Sequence, residues 1–287
     1  SYVYISGYFQ NTANFGVHIA TSRGSADAFV AKVTNTGYPV WVRSGGSTEY
    51  DEGRGVATNG TYVYLTGYYG DAGLLMGGTS YGNLGGADVF VAKYQSDATP
   101  EWVKRGGGTG GDAAYNCVLD EAGNLYTTGY FENTATFGSY SVTSDGDLDI
   151  FVVSYDASGN VTYLKKAGGT TQAWGKGLTL ADDGTVYITG TLFGWANTFY
   201  FDSETLAPTR NAVYVAKLGA SYIDIGLRMF DGTSTVSIAC EPGAATSPLR
   251  IAKDGVIYGI VLVETTDPAA SKMRIETPDG IKALREY

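Results

Sequence analysis

One nine-residue phrase recurs four times along this chain and limits what it can fold into. It reads Gly123-Asn124-Leu125-Tyr126-Thr127-Thr128-Gly129-Tyr130-Phe131, with near-copies at Tyr2–Phe9, Tyr62–Tyr69 and residues 184–191. Anchored on Gly7, Gly67, Gly129 and Gly190, the copies lie 60, 62 and 61 residues apart. A fixed period of this kind marks a repeat architecture, in which one unit buries its faces against copies of itself. Each phrase is rich in Tyr, Val, Ile and Thr and flanked by Gly, Asn or Asp, which predicts a strand.

Three further segments keep the same offset. An apolar run appears as Asp27-Ala28-Phe29-Val30-Ala31-Lys32, Asp88-Val89-Phe90-Val91-Ala92-Lys93, Asp149-Ile150-Phe151-Val152-Val153-Ser154 and Ala212-Val213-Tyr214-Val215-Ala216-Lys217. An aromatic pair leading to a double glycine follows: Trp41-Val42 to Gly45-Gly46, Trp102-Val103 to Gly106-Gly107, and Tyr163-Leu164 to Gly168-Gly169. A short segment such as Gly55-Val56-Ala57 or Asn116-Cys117-Val118-Leu119 then opens the next copy. Each unit thus predicts four strands, joined by turns such as Asp183-Gly184 and Ala122-Gly123-Asn124.

Helical periodicity is absent, and Asp149–Tyr155 carries apolar residues on both faces. Burial on both faces is expected of a sheet sandwiched between two others. An all-β fold follows: a β-propeller of about four four-stranded blades of roughly 60 residues, with a stacked open array of the same units as the alternative. A parallel β-helix uses a shorter repeat, and an immunoglobulin-like array a longer one with another strand count.

The run GNLYTTGYF, followed by DIFVVSYDASGNVTYLKKAGG, resembles the bacterial SBBP repeat, a β-propeller repeat. Tyr126, Gly129, Phe131, Asp149, Phe151 and Gly168-Gly169 carry the likeness, which extends over residues 1 to about 218. Copy four departs from it, with Ala212 in place of the Asp and no aromatic–Gly-Gly ending. The resemblance implies a propeller and an exported or surface setting in bacteria or their viruses, and no defined activity.

Copies near 1–52, 53–112, 113–175 and 176–218 make the predicted propeller. Copy one starts at the second strand and copy four stops after the third, so closure needs upstream residues, a strand from elsewhere, or a neighbouring subunit. The chain opens at Ser1 without an initiator Met or a signal peptide, which predicts a processed or trimmed N-terminus. From about Gly219 the repeat ends. Strands predicted at 222–230, 235–240, 249–252, 256–264, Lys272–Thr277 and 281–285 make residues 219–287 a small β-meander or sandwich, closed by the turn Pro278-Asp279-Gly280. Alternating charges at Lys272, Arg274, Lys282 and Arg285 fit a protected sheet edge. An attachment or assembly module is the functional alternative, and the region is loosely similar to terminal modules of virion and surface proteins.

Composition narrows the chemistry. A net charge of −10 without clustered Lys and Arg argues against nucleic acid. No apolar run reaches the length of a membrane-spanning helix, so no membrane insertion is expected. His18 is the single histidine, which leaves a nucleophile triad without its usual base and a zinc site without ligands. Asp145, Asp147 and Asp149 alternate as Ca²⁺ ligands can, although Asp149 is also the ordinary repeat Asp. Glu49, Asp51 and Glu52 would be the carboxylates of a glycoside hydrolase or simply an acidic turn. Tyr68, Tyr69, Trp174 and Trp195 are candidate ligand-facing aromatics, and Cys117 and Cys240 either pair or stay as buried thiols. The expected function is a non-enzymatic extracellular structural or interaction protein of a cell surface, filament or virion, bound to other protein subunits. A carbohydrate-binding, adhesive propeller with glycan partners is the alternative.

Overall fold

The computed structural model describes residues 1–218 apart from 71, 182–183, 195–197, 202–203, 207 and 209–210, and beyond them the strand backbones within 223–283. Every regular element among the described residues is a strand. The chain divides into two compact units, Ser1–Ile238 and Ala239–Tyr287.

Copy one supplies β1 (Tyr2–Phe9), β2 (Thr12–Phe15), β3 (His18–Thr21), β4 (Asp27–Thr34) and β5 (Pro39–Gly45). Copy two adds β6 (Glu52–Thr58), β7 (Tyr62–Tyr69), β8 (Leu74–Met76), β9 (Thr79–Tyr81), β10 (Asp88–Gln95) and β11 (Pro100–Gly108). In copy three these become β12 (Ala113–Leu119), β13 (Leu125–Phe131), β14 (Thr134–Phe137), β15 (Tyr140–Thr143), β16 (Asp149–Tyr155) and β17 (Val161–Gly169). Copy four holds β18 (Ala173–Leu180), β19 (Val186–Leu192), β20 (Phe199–Phe201), β21 (Glu204–Leu206), β22 (Ala212–Leu218) and β23 (Ile223–Asp224). The second unit is one antiparallel meander of β24 (Leu249–Lys253), β25 (Val256–Val263), β26 (Lys272–Thr277) and β27 (Gly280–Ala283), paired in that order.

Each copy forms an antiparallel sheet in chain order: β6-β7-β10-β11, β12-β13-β16-β17 and β18-β19-β22-β23. Copy one gives only β1-β4-β5, so β1 is an edge. The first strands stack from copy to copy, with β6 against β1 and β4, β12 against β6 and β7, and β18 against β12, β13 and β16. Because sheets lie on both sides of it, β16 is buried from end to end. Val63 and Leu65 of β7 are 0% and 1% exposed, whereas Val3 and Ile5, their counterparts on β1, are 49% and 41% exposed. Burial of such side chains stabilises by about 1.5–3 kcal/mol apiece, a gain that β1 forgoes.

The connection between the second and third strands is itself a hairpin, and in later copies it reaches across to the preceding copy. The β14–β15 hairpin of copy three pairs with β11 of copy two, with Gly106 opposite Phe137 and Gly108 opposite Ala135. Likewise β20 of copy four pairs with β17 of copy three through Gly168 and Gly169. Copy two touches copy one more lightly, through a single bridge between Leu75 and Gly46. Ala135, Phe137, Phe199, Phe201, Leu74 and Met76 are all buried by these contacts.

The third-strand lysine and the fourth-strand tryptophan hold the next copy in the opposite direction. Lys32 Nζ and Trp41 Nε1 donate to Ser96 O at 2.9 and 3.0 Å. Lys93 Nζ and Trp102 Nε1 donate to Ala157 O at 2.8 and 3.3 Å, one period later. A turn carbonyl that would otherwise lose water on packing is thereby satisfied by a charged and a neutral donor.

Candidate functional site

Each first strand carries one extra residue. The register slips between Gly53 and Gly55, between Ala114 and Asn116, and between Gly175 and Gly177, leaving Arg54, Tyr115 and Lys176 as bulge residues. The recurrent glycine of the second strand makes room for the bulge. A Cβ on Gly67 would lie 1.9 Å from Glu52 O, one on Gly129 1.9 Å from Ala113 O, and one on Gly190 1.8 Å from Trp174 O. No side chain fits there. A bulge re-aims the residue that it leaves unpaired, and the three bulge residues meet.

The Arg54 guanidinium carbon lies 4.0 Å from the centre of the Tyr115 ring and 4.6 Å from that of Tyr68. Lys176 Nζ lies 3.3 Å from the centre of Tyr115 and 4.0 Å from that of Trp174. Tyr130 stacks on Trp174 at 5.6 Å, Phe193 leans on it at 4.9 Å, and Tyr50 stacks on Tyr68 at 6.2 Å. Cation–π attraction contributes about 0.5–2 kcal/mol per contact when partly desolvated. Arg54 Nη2 also pairs with Glu52 Oε2 at 3.1 Å, but its Nη1 and the Trp174 Nε1 are buried without hydrogen-bond partners. Burial, and then the charge of Arg54, draw the Lys176 pKa down to about 8.

Of the aromatics expected to face a ligand, Tyr68 and Trp174 belong to this cluster. Tyr69 is fully buried at the core position shared with Phe9, Phe131 and Leu192, its hydroxyl donating to Gly82 O at 3.3 Å. Trp195 lies outside the described residues. The three carboxylates proposed for Ca²⁺ have separate partners. Asp145 pairs with Lys166 at 2.6 Å, Asp147 accepts from Gln172 at 3.3 Å, and buried Asp149 accepts the Asp145 and Gly169 amides at 2.8 and 3.1 Å. No group of three or more His, Cys, Asp or Glu converges among the described residues. His18 Nε2 contacts Val40 O at 3.0 Å. Cys117 is a free buried thiol, its pKa pushed up to about 12 by burial, and Cys240 lies outside the described residues.

A second polar device recurs at the ends of the sheets. Asp27, Asp88 and Asp149 each accept the amide of the residue four before, closing a tight turn at 2.8–2.9 Å. Asp51 and Asp112 return to the same place in copies one and two: Asp112 accepts the Gly108 and Glu132 amides at 2.8 and 3.1 Å, and Asp51 accepts from Ser47 and Gly70. A Cβ on Gly107 would sit 2.2 Å from Asp88 Oδ1 and 2.8 Å from Asp112 Oδ2, which explains one member of the double glycine. Both carboxyls are fully buried, so no substrate reaches them. Glu52, the other carboxylate considered for hydrolysis with Glu49, is the partner of Arg54.

Burial raises Asp88 to about 6, Asp149 to about 6 and Asp112 to about 7. Because the folded pKa exceeds the unfolded one, protonation favours the fold. The contribution is whole below about pH 4 and is lost as pH rises to about 7, each tenfold change in proton affinity corresponding to about 1.4 kcal/mol. Asp97 and Asp156, drawn down by hydrogen bonds involving Thr99 and Asn160, titrate below that window. Melting temperature is therefore expected to fall steadily across this interval and to fall less in Asp112→Asn. A flat or rising profile by calorimetry would contradict the burial of these acids.

The bulge cluster escaped the sequence because Arg54, Tyr115 and Lys176 share an offset and no chemistry. Only the fixed period connects them. A scan against protein-family models finds no match to the chain, and a search of curated proteins finds none either.

Proposed function

We propose that the chain is a non-enzymatic structural and interaction protein of a cell surface, filament or virion. In this proposal its repeats are blades of a propeller or propeller-like arc, and residues 219–287 are an assembly module. The resemblance to the SBBP repeat supports the setting. One observation carries the interaction reading: copy one leaves Val3 and Ile5 bare at positions that are buried in every later copy. Its hairpin, Asn11-Thr12-Ala13-Asn14-Phe15-Gly16, nearly repeats Asn133-Thr134-Ala135-Thr136-Phe137-Gly138. Asn11 and Asn133 even share a positive φ, 57° and 61°.

Eight of the twelve exposed large hydrophobics among the described residues fall in copy one: Tyr2, Val3, Ile5, Tyr8, Val17, Ile19, Tyr38 and Val40. A concentration of this kind on one repeat marks an interaction surface. At every junction inside the chain the occupant of this surface is a preceding repeat, so the occupant proposed here is another copy of this repeat, which a second molecule joined head to tail would supply. Sedimentation velocity tests it. Self-association is expected, and Ile5→Lys with Ile19→Lys should abolish it without altering the far-UV spectrum; a strictly monomeric chain, or an associating double variant, would refute the reading. The aromatic cluster favours a second reading, carbohydrate binding, to which a glycan array is the direct approach.

A further inference from the structure

β1 is a sheet edge without the devices that ordinarily blunt one. Its eight residues, Tyr2–Phe9, include no charge and no proline, and they pair with β4 from end to end without a register slip. A long, uncharged edge of this kind offers its free amides and carbonyls to any extended chain that can reach them. In copies two to four the equivalent edge is taken by β6, β12 and β18, and among the described residues no strand takes it in copy one. Two features mark the place of such a strand. Gly67, Gly129 and Gly190 are buried, and a Cβ on them would lie 1.9, 1.9 and 1.8 Å from a carbonyl of the first strand. Gly7 holds the same position half-buried, and a Cβ there would meet the Phe29 ring first, at 3.0 Å. Glycine inside a strand weakens it and marks a close approach of another backbone; at Gly7 that backbone is missing. Val56 is the second feature. It is half-buried, whereas Cys117 and Leu178, at the same place in β12 and β18, are buried in cores that the preceding first strand joins through Ala57 and Val118.

The strands that fill this place elsewhere define what fits it. Gly53, Ala114 and Gly175 stand opposite the recurrent glycine, and Arg54, Tyr115 and Lys176 loop out. Gly55, Asn116 and Gly177 follow, and then Val56, Cys117 and Leu178. First strands stack from copy to copy, so a strand added to β1 would lie on β6 and cover Val56. We propose that the free edge of β1 binds, by strand addition, an extended segment of a partner subunit with this pattern: a small residue opposite Gly7, one looped-out residue, Gly or Asn opposite Ser6, and an apolar residue opposite Ile5. The proposal rests on the interaction reading above only in making the donor a subunit. Backbone groups along the edge of β1 do the binding, whereas the head-to-tail contact uses the side chains on its face, so the two are tested apart.

The probe is a fluorescein-labelled peptide with the sequence of β18, Ala173–Leu180, titrated with the unaltered chain at concentrations where sedimentation shows it monomeric, and followed by anisotropy. Saturable binding is expected. The same peptide without its Lys176 loses the looped-out residue, which turns its apolar residue to the opposite face, and should bind at least about tenfold more weakly. Gly7→Ala places a methyl group where the bound backbone must pass, and should also weaken the peptide at least about tenfold. That variant folds, because the Phe29 ring edge can yield to the added Cβ. Ile19→Lys, a change on the β2–β3 hairpin, should leave peptide binding as it was. No binding, equal binding of the shortened peptide, or full binding to Gly7→Ala would overturn the proposal. Self-association that persists without peptide binding would overturn it alone, and peptide binding by a chain that never self-associates would uphold it while the head-to-tail reading fails.

Discussion

Gly129→Ala is expected to lower the melting temperature by about 6 °C or more, from a loss of about 3 kcal/mol, while Gly7→Ala lowers it by about 2 °C at most. Both glycines hold the same place in the recurrent phrase, and sequence alone would rank them equal. What differs is the neighbour. An added Cβ at Gly129 meets the backbone of β12 at Ala113 O, 1.9 Å away, and a main chain fixed by ladder hydrogen bonds on both sides has no room to yield. At Gly7 it meets only the Phe29 ring edge, Cε1 at 3.0 Å, which a small rotation relieves. Differential scanning calorimetry on the two variants reads the difference directly. Equal, small losses would mean that the bulges are not held by the close approach. Gly67→Ala and Gly190→Ala belong with Gly129→Ala, since their contacts are with Glu52 O and Trp174 O.

The repeat unit was legible because each copy assigns the same residue types to the same task. Four strands per copy, turns at Gly and Asp, and burial on both faces of Asp149–Tyr155 all follow from period and composition, and the all-β architecture agrees. The partnerships between copies were not legible. Lys32 and Ser96 are 64 residues apart, and nothing local marks Ser96 as an acceptor; its side chain is not even the group used, only its carbonyl. The double glycine is in part a clearance for buried Asp88 and Asp112, which the sequence does not announce. Asp51 looked like one member of an acidic turn, whereas it is sealed and bonded to Ser47 and Gly70.

The bulge cluster was the least legible feature, because the repeat varies most there. A residue type that recurs in every copy betrays packing, and the three bulge positions hold three different residues. Their convergence on Tyr115 depends on a backbone irregularity that only the pairing register reveals. Of the candidate ligand-facing aromatics, Trp174 contributes a face to the cluster, whereas Tyr69 is core. Aromatic content alone does not separate the two cases; the covering strand does.

The side hairpin of each later copy is met by the preceding repeat, and copy one presents the same hairpin without that cover. Phe137 and Phe15 occupy equivalent places, each against a third-strand phenylalanine: Phe137 lies 4.8 Å from Phe151 and Phe15 lies 5.0 Å from Phe29, ring centre to ring centre. Phe137 is fully buried beneath β11, while Phe15 is half-buried. The most direct test is the pair Phe137→Ala and Phe15→Ala, unfolded in urea side by side at a protein concentration where the chain is monomeric. A loss of about 4 kcal/mol is expected for Phe137→Ala, from transfer and cavity together, and about 1 kcal/mol for Phe15→Ala. Equal losses would contradict the account, because they would place the first hairpin under the same cover as the third.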